Sequence, residues 1–264
     1  MRRLAYDMES TTSDTSGGRR RVALVDPDPR YARPQLVEPS AAGFLHLAVE
    51  SHRRSRPGPL FGRDERRDRV LAQVTAYARA VAQLDDVQEA TAFKAVLIPP
   101  VPEKLVQPDV ALLVRTAAPH DAVALRETPE LRELLGGLAA AGARTHVLAA
   151  RNARRIGDVD HARPDLFLFN HFLADDRELA IELWERLAAW YEVETGLDNS
   201  VLLAPVEGER SDFAIVNHAR FADSLLRLAL QQFAKRSFYT YVRANMRANR
   251  VTAVPVLYRL GRAP

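Results

Sequence analysis

The sequence predicts an α+β fold in which two tandem ferredoxin-like βαββαβ repeats close into one pseudo-dimeric α+β barrel. Its apolar periodicity switches between strand and helix spacing in the same order twice along the chain. With 264 residues, 47% of them hydrophobic, the chain is long enough to bury the core of two such units. A ferredoxin-like unit leaves one face of its sheet without helices. Two units in one chain can therefore cover those faces with each other.

Each element of the first repeat is predicted from its local pattern. Short apolar runs indicate strands, and apolar residues three and four apart indicate helices. Thr128-Pro129 interrupts the second helix, because Thr suits an N-cap and Pro suits the first helical position. The predicted elements are strand 43–50, helix 64–85, strands 88–98 and 109–116, helix 120–141 and strand 143–151.

The second repeat follows the same order. Its first helix carries Leu179, Leu183, Leu187 and Tyr191 at four-residue spacing, which predicts one apolar face. The predicted elements are strand 165–173, helix 176–195, strands 199–206 and 212–220, helix 223–249 with a break near 235–237, and strand 251–260. We therefore divide the chain into a disordered tail (1–40), a first repeat (41–158) and a second repeat (159–264). The tail is polar and rich in Pro and Arg, and only Val22 to Val25 are expected to order by docking.

Composition excludes several classes of function. The absence of cysteine removes disulfides, thiolate nucleophiles and Cys-ligated metals. Residues 1–69 hold a net charge of +4 and the remainder −1, so the predicted folded part carries no basic excess and a nucleic-acid partner is not expected. No apolar run is long enough to cross a membrane, and Asp7 and Glu9 interrupt any signal peptide, so a cytoplasmic location is expected. Phosphate-loop, zincin and nucleophile-elbow motifs are absent from the sequence.

Side-chain alternation predicts which residues face the barrel interior. Leu45, Leu47 and Val49 form a wholly apolar face that should pack on helices, so His46 and Glu50 should point inward. The same argument directs Arg115 inward, with Glu50 as its candidate ionic partner.

The second repeat matches the first in register, which directs His171 and His218 inward as well. The first and third strands of a repeat are expected to be neighbours and to run parallel, so these two histidines should lie side by side. The expected interior then holds two polar pairs, His46/Arg115 and His171/His218, in an apolar cavity lined by Phe167, Phe169, Ala214 and Val216.

Two alternatives remain open at this point. Asn170 and Asn217 should face the helices, but a register slip of one residue would make the asparagines the site and the histidines core. A buried histidine can also be an ordinary hydrogen-bonded core residue. The cluster Asp158-Val159-Asp160-His161 has the composition of a metal site, yet it falls at the joint between repeats and is interpreted as a solvated linker.

The segment Val110–Thr116, a helix and then Arg126-Glu-Thr-Pro-Glu-Leu-Arg-Glu-Leu-Leu135 resembles the antibiotic-biosynthesis-monooxygenase group of dimeric α+β barrels. Gln232–Tyr241 echoes it in the second repeat, so the resemblance covers about residues 43–261 as a tandem pair. The resemblance implies one of the activities found in that group, which includes cofactor-free oxygenases of phenolic polycycles, haem enzymes, cyclases and isomerases. Some members of this group pair an Asn on the first strand with a Trp on a helix. Asn170 matches that Asn, but the second helix of neither repeat carries a Trp. Residues 223–249 also lack the His with which haem members often bind iron.

Three hypotheses follow. The first is a monooxygenase-like oxidoreductase that needs no cofactor, in which His171 or His218 deprotonates an aromatic or polycyclic substrate. Asn170, Asn217 or Arg115 would stabilise the oxyanion, and His46, Phe167 and Phe169 would help to hold the substrate. The second is a haem or divalent-metal protein with His171 or His218 as ligand. The third is a non-catalytic binding or assembly protein with a packed interior. Whether the chain forms a homo-oligomer is left open.

Overall fold

The computed structural model describes residues 21–52, 64–99, 105–222 and 224–261. In chain order the elements are β1 (Gly43–Glu50), α1 (Glu65–Val81), β2 (Val87–Leu97), β3 (Val110–Thr116), α2 (Pro119–Arg126), α3 (Pro129–Ala140), β4 (Arg144–Gly157), β5 (Leu166–Leu173), α4 (Arg177–Thr195), β6 (Ser200–Pro205), β7 (Ile215–Phe221), α5 (Leu225–Phe233), a π-helical turn (Phe238–Arg243), α6 (Ala244–Ala248) and β8 (Thr252–Leu260).

The eight strands close into one barrel in the order β1-β3-β2-β8-β5-β7-β6-β4. Within each repeat the order is that of a ferredoxin-like sheet, and β2–β8 and β4–β6 join the two sheets. The predicted fold class is therefore confirmed. One detail of the prediction is wrong: β1 and β3, like β5 and β7, are antiparallel neighbours. The reason is that α1 returns the chain so that β1 and β2 share a direction, and the β2–β3 hairpin then reverses it.

The helices begin where the sequence supplies a capping oxygen. Asp64 accepts from the amides of Arg66 and Arg67, and Asp176 accepts from that of Leu179. Thr128 caps α3 through the amide of Leu131, so the predicted break at Thr128-Pro129 is confirmed. No described helix is long and apolar enough to span a bilayer.

Three apolar cores result. The helices of each repeat pack on the outer face of the barrel in two separate cores, and Leu45, Leu47 and Val49 lie on that face as predicted. Ala214 was expected to line the barrel interior, and this prediction is wrong. Ala214 lies just before the start of β7 and packs with the outer core of the second repeat. The barrel interior is a third core, filled with large rings: Phe44, Phe93, Phe167, Phe169, Phe213 and Tyr258.

Residues 21–42, called the N-terminal arm below, run along the second repeat before entering β1. A short 3₁₀ turn at Pro29–Tyr31 buries the ring of Tyr31, which lies 4.9 Å from that of Tyr241. The Tyr31 hydroxyl donates to Glu194 at 2.6 Å. Residues 1–20 lie outside the described part of the chain.

Candidate active site

The predicted inward histidines do lie inside the barrel, but their partners differ from the prediction. His46, His171 and His218 are at most 1% exposed. His218 lies opposite Phe169, and His171 lies opposite Val216, so the two histidines are not neighbours. The antiparallel strand pairing is the cause, since it reverses the register on which the predicted pair depended.

His171 pairs with His46 across the barrel instead. Their Nε2 atoms lie 3.1 Å apart. The Nδ1 atom of His46 lies 3.1 Å from the carbonyl oxygen of Leu112, and that of His171 lies 3.2 Å from the carbonyl oxygen of Val254. The three contacts form one chain from carbonyl to carbonyl, so three ring protons are needed to make all of them hydrogen bonds.

Two neutral imidazoles carry only two such protons. Burial lowers the pKa of His46 to about 4, and burial together with the charge of His46 lowers the pKa of His171 well below its usual value. No carboxylate contacts the pair within the described residues. A third proton here would be an uncompensated buried charge, so the pair stays neutral and one contact stays unbonded. We assign the His46/His171 pair, called the core pair below, to the packed interior of the barrel.

A second pair has the carboxylate that the first one lacks. The Nε2 atoms of His218 and His161 lie 2.8 Å apart, and the Nδ1 atom of His161 lies 2.5 Å from Oε1 of Glu89. The Nδ1 atom of His218 lies 3.1 Å from the carbonyl oxygen of Leu168. Glu89 comes from β2, His161 from the joint between repeats and His218 from β7. We call this chain the Glu89–His161–His218 relay.

Proton counting separates the relay from the core pair. With Glu89 ionised, three ring protons complete every hydrogen bond of the relay, and the carboxylate balances the positive charge. Burial by itself would raise the pKa of Glu89, but the hydrogen bond and charge of His161 lower it below its usual value. Burial, followed by the charge of His161, lowers the pKa of His218 well below its usual value. A third ring proton would therefore complete the hydrogen bonds of the relay with Glu89 as its counter-charge, which the core pair lacks.

The relay borders a cavity at one end of the barrel. The cationic side chain of Arg115 lines this cavity. Arg115 lies on β3 across from Glu89 on β2 and points inward as predicted. Its Nε is buried without a hydrogen-bond partner among the described residues. Glu50, its predicted partner, instead pairs with Arg144. The cavity measures about 20 Å³, room for about one water molecule. Its lining comprises Ser40, Phe44, Glu89, Leu113, Arg115, Asp158, Val159, His161, Val201, Leu203 and His218.

Phe169 separates the relay from the core pair. Its ring stacks on that of His218 at 4.1 Å and on that of His46 at 4.7 Å. Since a phenyl ring neither donates nor accepts a strong hydrogen bond, protons cannot pass between the two pairs. Beyond the core pair an open cleft of about 310 Å³ is bordered by His46, His146 and Asp212. Burial lowers the pKa of His146 there, opposed by Asp212 at 3.1 Å.

The remaining predicted residues lie elsewhere. Asn170 and Asn217 face each other in the β5–β7 pair, on the helix side of the sheet as the main prediction has it. Ser200 donates to Asn217 at 2.6 Å, and Oδ1 of Asn170 is buried with no partner among the described residues. Neither amide borders the cavity, so the register-slip alternative does not apply.

Sequence reasoning missed two members of the relay. The interpretation of residues 158–161 as a solvated linker is wrong for His161, whose side chain is only 9% exposed. The apolar Val159 within this acidic segment was an available signal, and it also lines the cavity. Glu89, at the edge of the predicted strand 88–98, gave no signal of its own. Among the described residues, no group of three or more His, Asp or Glu is arranged to hold a metal ion.

A closed barrel with helices outside and titratable groups inside defines an α+β barrel of the dimeric ferredoxin-like class, present as a tandem repeat in one chain. No protein-family model and no curated protein sequence matches the chain. Among solved structures, an anthrone oxidase-like protein superposes with a TM-score of 0.57 at 12% identity, over 83% of this chain and 90% of that chain. A protein assigned by name as a monooxygenase, from Fusobacterium nucleatum subsp. nucleatum, gives 0.50 at 6% identity, over 84% and 94%. These likenesses confirm the resemblance to the antibiotic-biosynthesis-monooxygenase group at the level of the fold.

Proposed function

We propose that this protein is a small-molecule enzyme, a monooxygenase-like oxidoreductase that deprotonates an aromatic or polycyclic substrate at the Glu89–His161–His218 relay. The observation that supports the proposal is a buried carboxylate–imidazole–imidazole chain beside a cavity lined by Arg115. A phenolic O–H or an acidic C–H is the bond that such a base would break.

In the proposed step the relay starts with two ring protons, one on each Nδ1 atom. Both Nε2 atoms then hold lone pairs, and the contact between them is unbonded. A proton taken from the substrate settles between the two Nε2 atoms, where it completes that hydrogen bond opposite the ionised Glu89. Arg115, whose Nε has no other partner among the described residues, stabilises the phenolate or enolate that remains.

Anthrone is the test substrate that the first comparison suggests, because its methylene is acidic and its enolate is stabilised by two flanking rings. The balanced reaction is anthrone plus O₂ to anthraquinone plus water: the methylene carbon gives up four electrons and O₂ accepts them. The enolate itself is the electron donor, so the proposal calls for no cofactor. The cavity of about 20 Å³ is smaller than any such substrate, so its wall must move on binding.

The test is oxygen uptake and anthraquinone absorbance with anthrone, for the full chain and for His218→Gln and Glu89→Gln. Loss of a positioned general base typically costs about 100-fold or more in rate, so each variant should fall at least that far. His120→Gln is the matched control, because the side chain of His120 is 84% exposed. The proposal is wrong if His218→Gln and Glu89→Gln turn over anthrone as fast as the parent protein.

A second candidate is favoured by the packed interior. The rings that fill the barrel, with Phe93, Phe169 and Tyr258 all in edge-to-face contact, leave no room for a ligand in its centre. This arrangement favours the non-catalytic binding or assembly protein over an enzyme with a deep cavity. Absence of turnover with anthrone and with phenolic and enolisable analogues would support it. The haem or metal alternative at His171 or His218 is addressed by metal analysis and an absorption spectrum of the purified protein.

A further inference from the structure

The barrel opening opposite the relay carries a cleft that the proposed reaction does not use. Its volume is about 310 Å³, against about 20 Å³ for the cavity beside the relay. Ser40 of the N-terminal arm lines the smaller cavity, but no described residue of that arm borders the cleft. Pockets of this size bind small organic molecules, so the cleft can admit a ligand without rearrangement. Its lining comprises His46, Thr145, His146, Val147, Leu148, Arg210, Ser211, Asp212 and Phe213.

One wall of the cleft is the connection between β6 and β7, which is fastened at both ends. Before the lining residues, Glu209 pairs with Arg126 of α2, and its side chain is only 6% exposed. After them, Phe213 is 3% exposed, and its amide donates to the Ser211 hydroxyl at 3.1 Å. The polar residues between these two points are therefore held in place before a ligand binds.

His146, on β4, is a titratable group that a ligand in the cleft can reach. Its side chain is 21% exposed, whereas His46 is 1% exposed. The Nδ1 atom of His146 lies 3.1 Å from a carboxylate oxygen of Asp212, which favours the tautomer with its proton on Nδ1. The Nε2 atom has no hydrogen-bond partner among the described residues, so the neutral ring offers it as an acceptor.

The charges around His146 leave a place for an anion. The charged and titratable groups near the ring are Arg144 on the same strand, Glu50 and His46 on β1, His171 on β5, and Asp212 and Arg210 in the β6–β7 connection. Arg144 pairs with Glu50, and the two buried histidines of the core pair stay neutral. Asp212 and Arg210 then balance each other. A proton on His146 would make the cleft positive by one charge, and a ligand with one negative charge would restore neutrality.

We propose that the cleft binds a small polar monocarboxylic acid, taken up as its carboxylate together with one proton that settles on Nε2 of His146. The carboxylate accepts from this proton and from the guanidinium of Arg210, which has no ion pair among the described residues. The Ser211 hydroxyl can donate to it as well, because its own proton has no acceptor in the described part of the chain. Asp212 holds the other side of the charged ring. Phe169 separates this end of the barrel from the relay, so the site does not depend on the proposed function.

Proton uptake makes the affinity depend on pH. Burial holds the pKa of His146 below its usual value, against the charge of Asp212, so the ring is neutral at neutral pH before the ligand binds. The bound anion favours the charged ring and raises this pKa. Between the pKa values of the free and the bound ring, each unit rise in pH should weaken binding by up to about tenfold, because one proton is taken up with each ligand.

The experiment is a nuclear magnetic resonance titration of the isotope-labelled full chain with lactate, followed through the amide shifts of residues 210–213. The dissociation constant should rise about fivefold or more from about pH 6.5 to about pH 7.5, and lactate should raise the pKa of the His146 ring. In His146→Gln the dissociation constant should not change with pH. Lactamide, an uncharged probe of the same shape, should bind at least about tenfold more weakly than lactate. The proposal is refuted if lactate leaves these amide shifts unchanged, if lactamide binds equally well, or if the parent protein shows no dependence on pH.

Arg210 provides a variant that does not touch the core of the barrel. Arg210→Gln should weaken lactate binding by about tenfold or more, and Arg210→Lys should restore part of the loss. Arg151→Gln is the matched control, because Arg151 is exposed on the same strand as His146 but does not border the cleft. Equal affinities of Arg210→Gln and Arg151→Gln for lactate would overturn the site. No measurement here involves turnover at the relay, so a failure of the proposed function leaves these results interpretable.

Discussion

Acid should destabilise the barrel through its buried histidines, and His46 allows the size of the effect to be calculated. Its pKa is about 4 in the folded protein against 6.5 as the ordinary value. The unfolded chain therefore binds more protons between these values, so stability falls as the pH drops. At one pKa unit per about 1.4 kcal/mol, the shift of His46 is worth about 3 kcal/mol in full, of which about 2 kcal/mol is lost between about pH 7.5 and pH 5.

The assay is urea unfolding at those two pH values for the parent protein, His46→Gln and His120→Gln. The parent should lose at least about 2 kcal/mol on acidification, because His171 and His218 shift in the same direction. His46→Gln should be less stable at the higher pH but should lose about 2 kcal/mol less on acidification. No carboxylate contacts His46 among the described residues, so the difference in acid loss between the parent and His46→Gln reports on the histidines. Equal acid losses for the parent and His46→Gln would show that His46 is not buried as a neutral ring.

Two further predictions concern the fold. Thr128→Ala should cost about 1 kcal/mol of unfolding free energy, since it removes the oxygen that caps α3, and Thr128→Ser should restore most of it in thermal and urea melts. Gly43→Ala should cost at least about 2 kcal/mol, because a Cβ atom on Gly43 would overlap the Ala118 carbonyl and the Pro119 backbone. Gly136→Ala is its control: a Cβ atom there meets nothing within 4 Å, and the helix should gain about 0.5–1 kcal/mol. A Gly43→Ala protein as stable as the parent would contradict the packing at the start of β1.

Most of the fold could be predicted because its signals are local. The strand Gly43–Glu50 coincides with the predicted span, and the break at Thr128-Pro129 follows from capping chemistry within four residues. Strand alternation correctly predicted that His46 faces the barrel interior and that Leu45 and Leu47 face the helices. Strand direction was missed because it depends on how the α1 crossover and the β2–β3 hairpin combine, and no single strand carries that information.

The site was predicted less well, for reasons of the same kind. The inward direction of His218 and Arg115 is a property of one strand each and was correctly predicted. The contact between His218 and His161 joins residues 57 positions apart and depends on how the joint after β4 folds back over the barrel end. The size of the cavity depends on how rings from many strands fill a shared volume, and side-chain periodicity does not reveal it.

Joining both halves in one polypeptide has a consequence for the relay. Glu89 and Arg115 come from the first half, His218 from the second and His161 from the connection between them. A barrel assembled from two identical subunits would display each of these groups twice, once at either opening. Because the two halves are fused and differ in sequence, one opening of the barrel can hold the carboxylate, the imidazoles and the guanidinium together. The opposite opening is then free to carry a different set of groups.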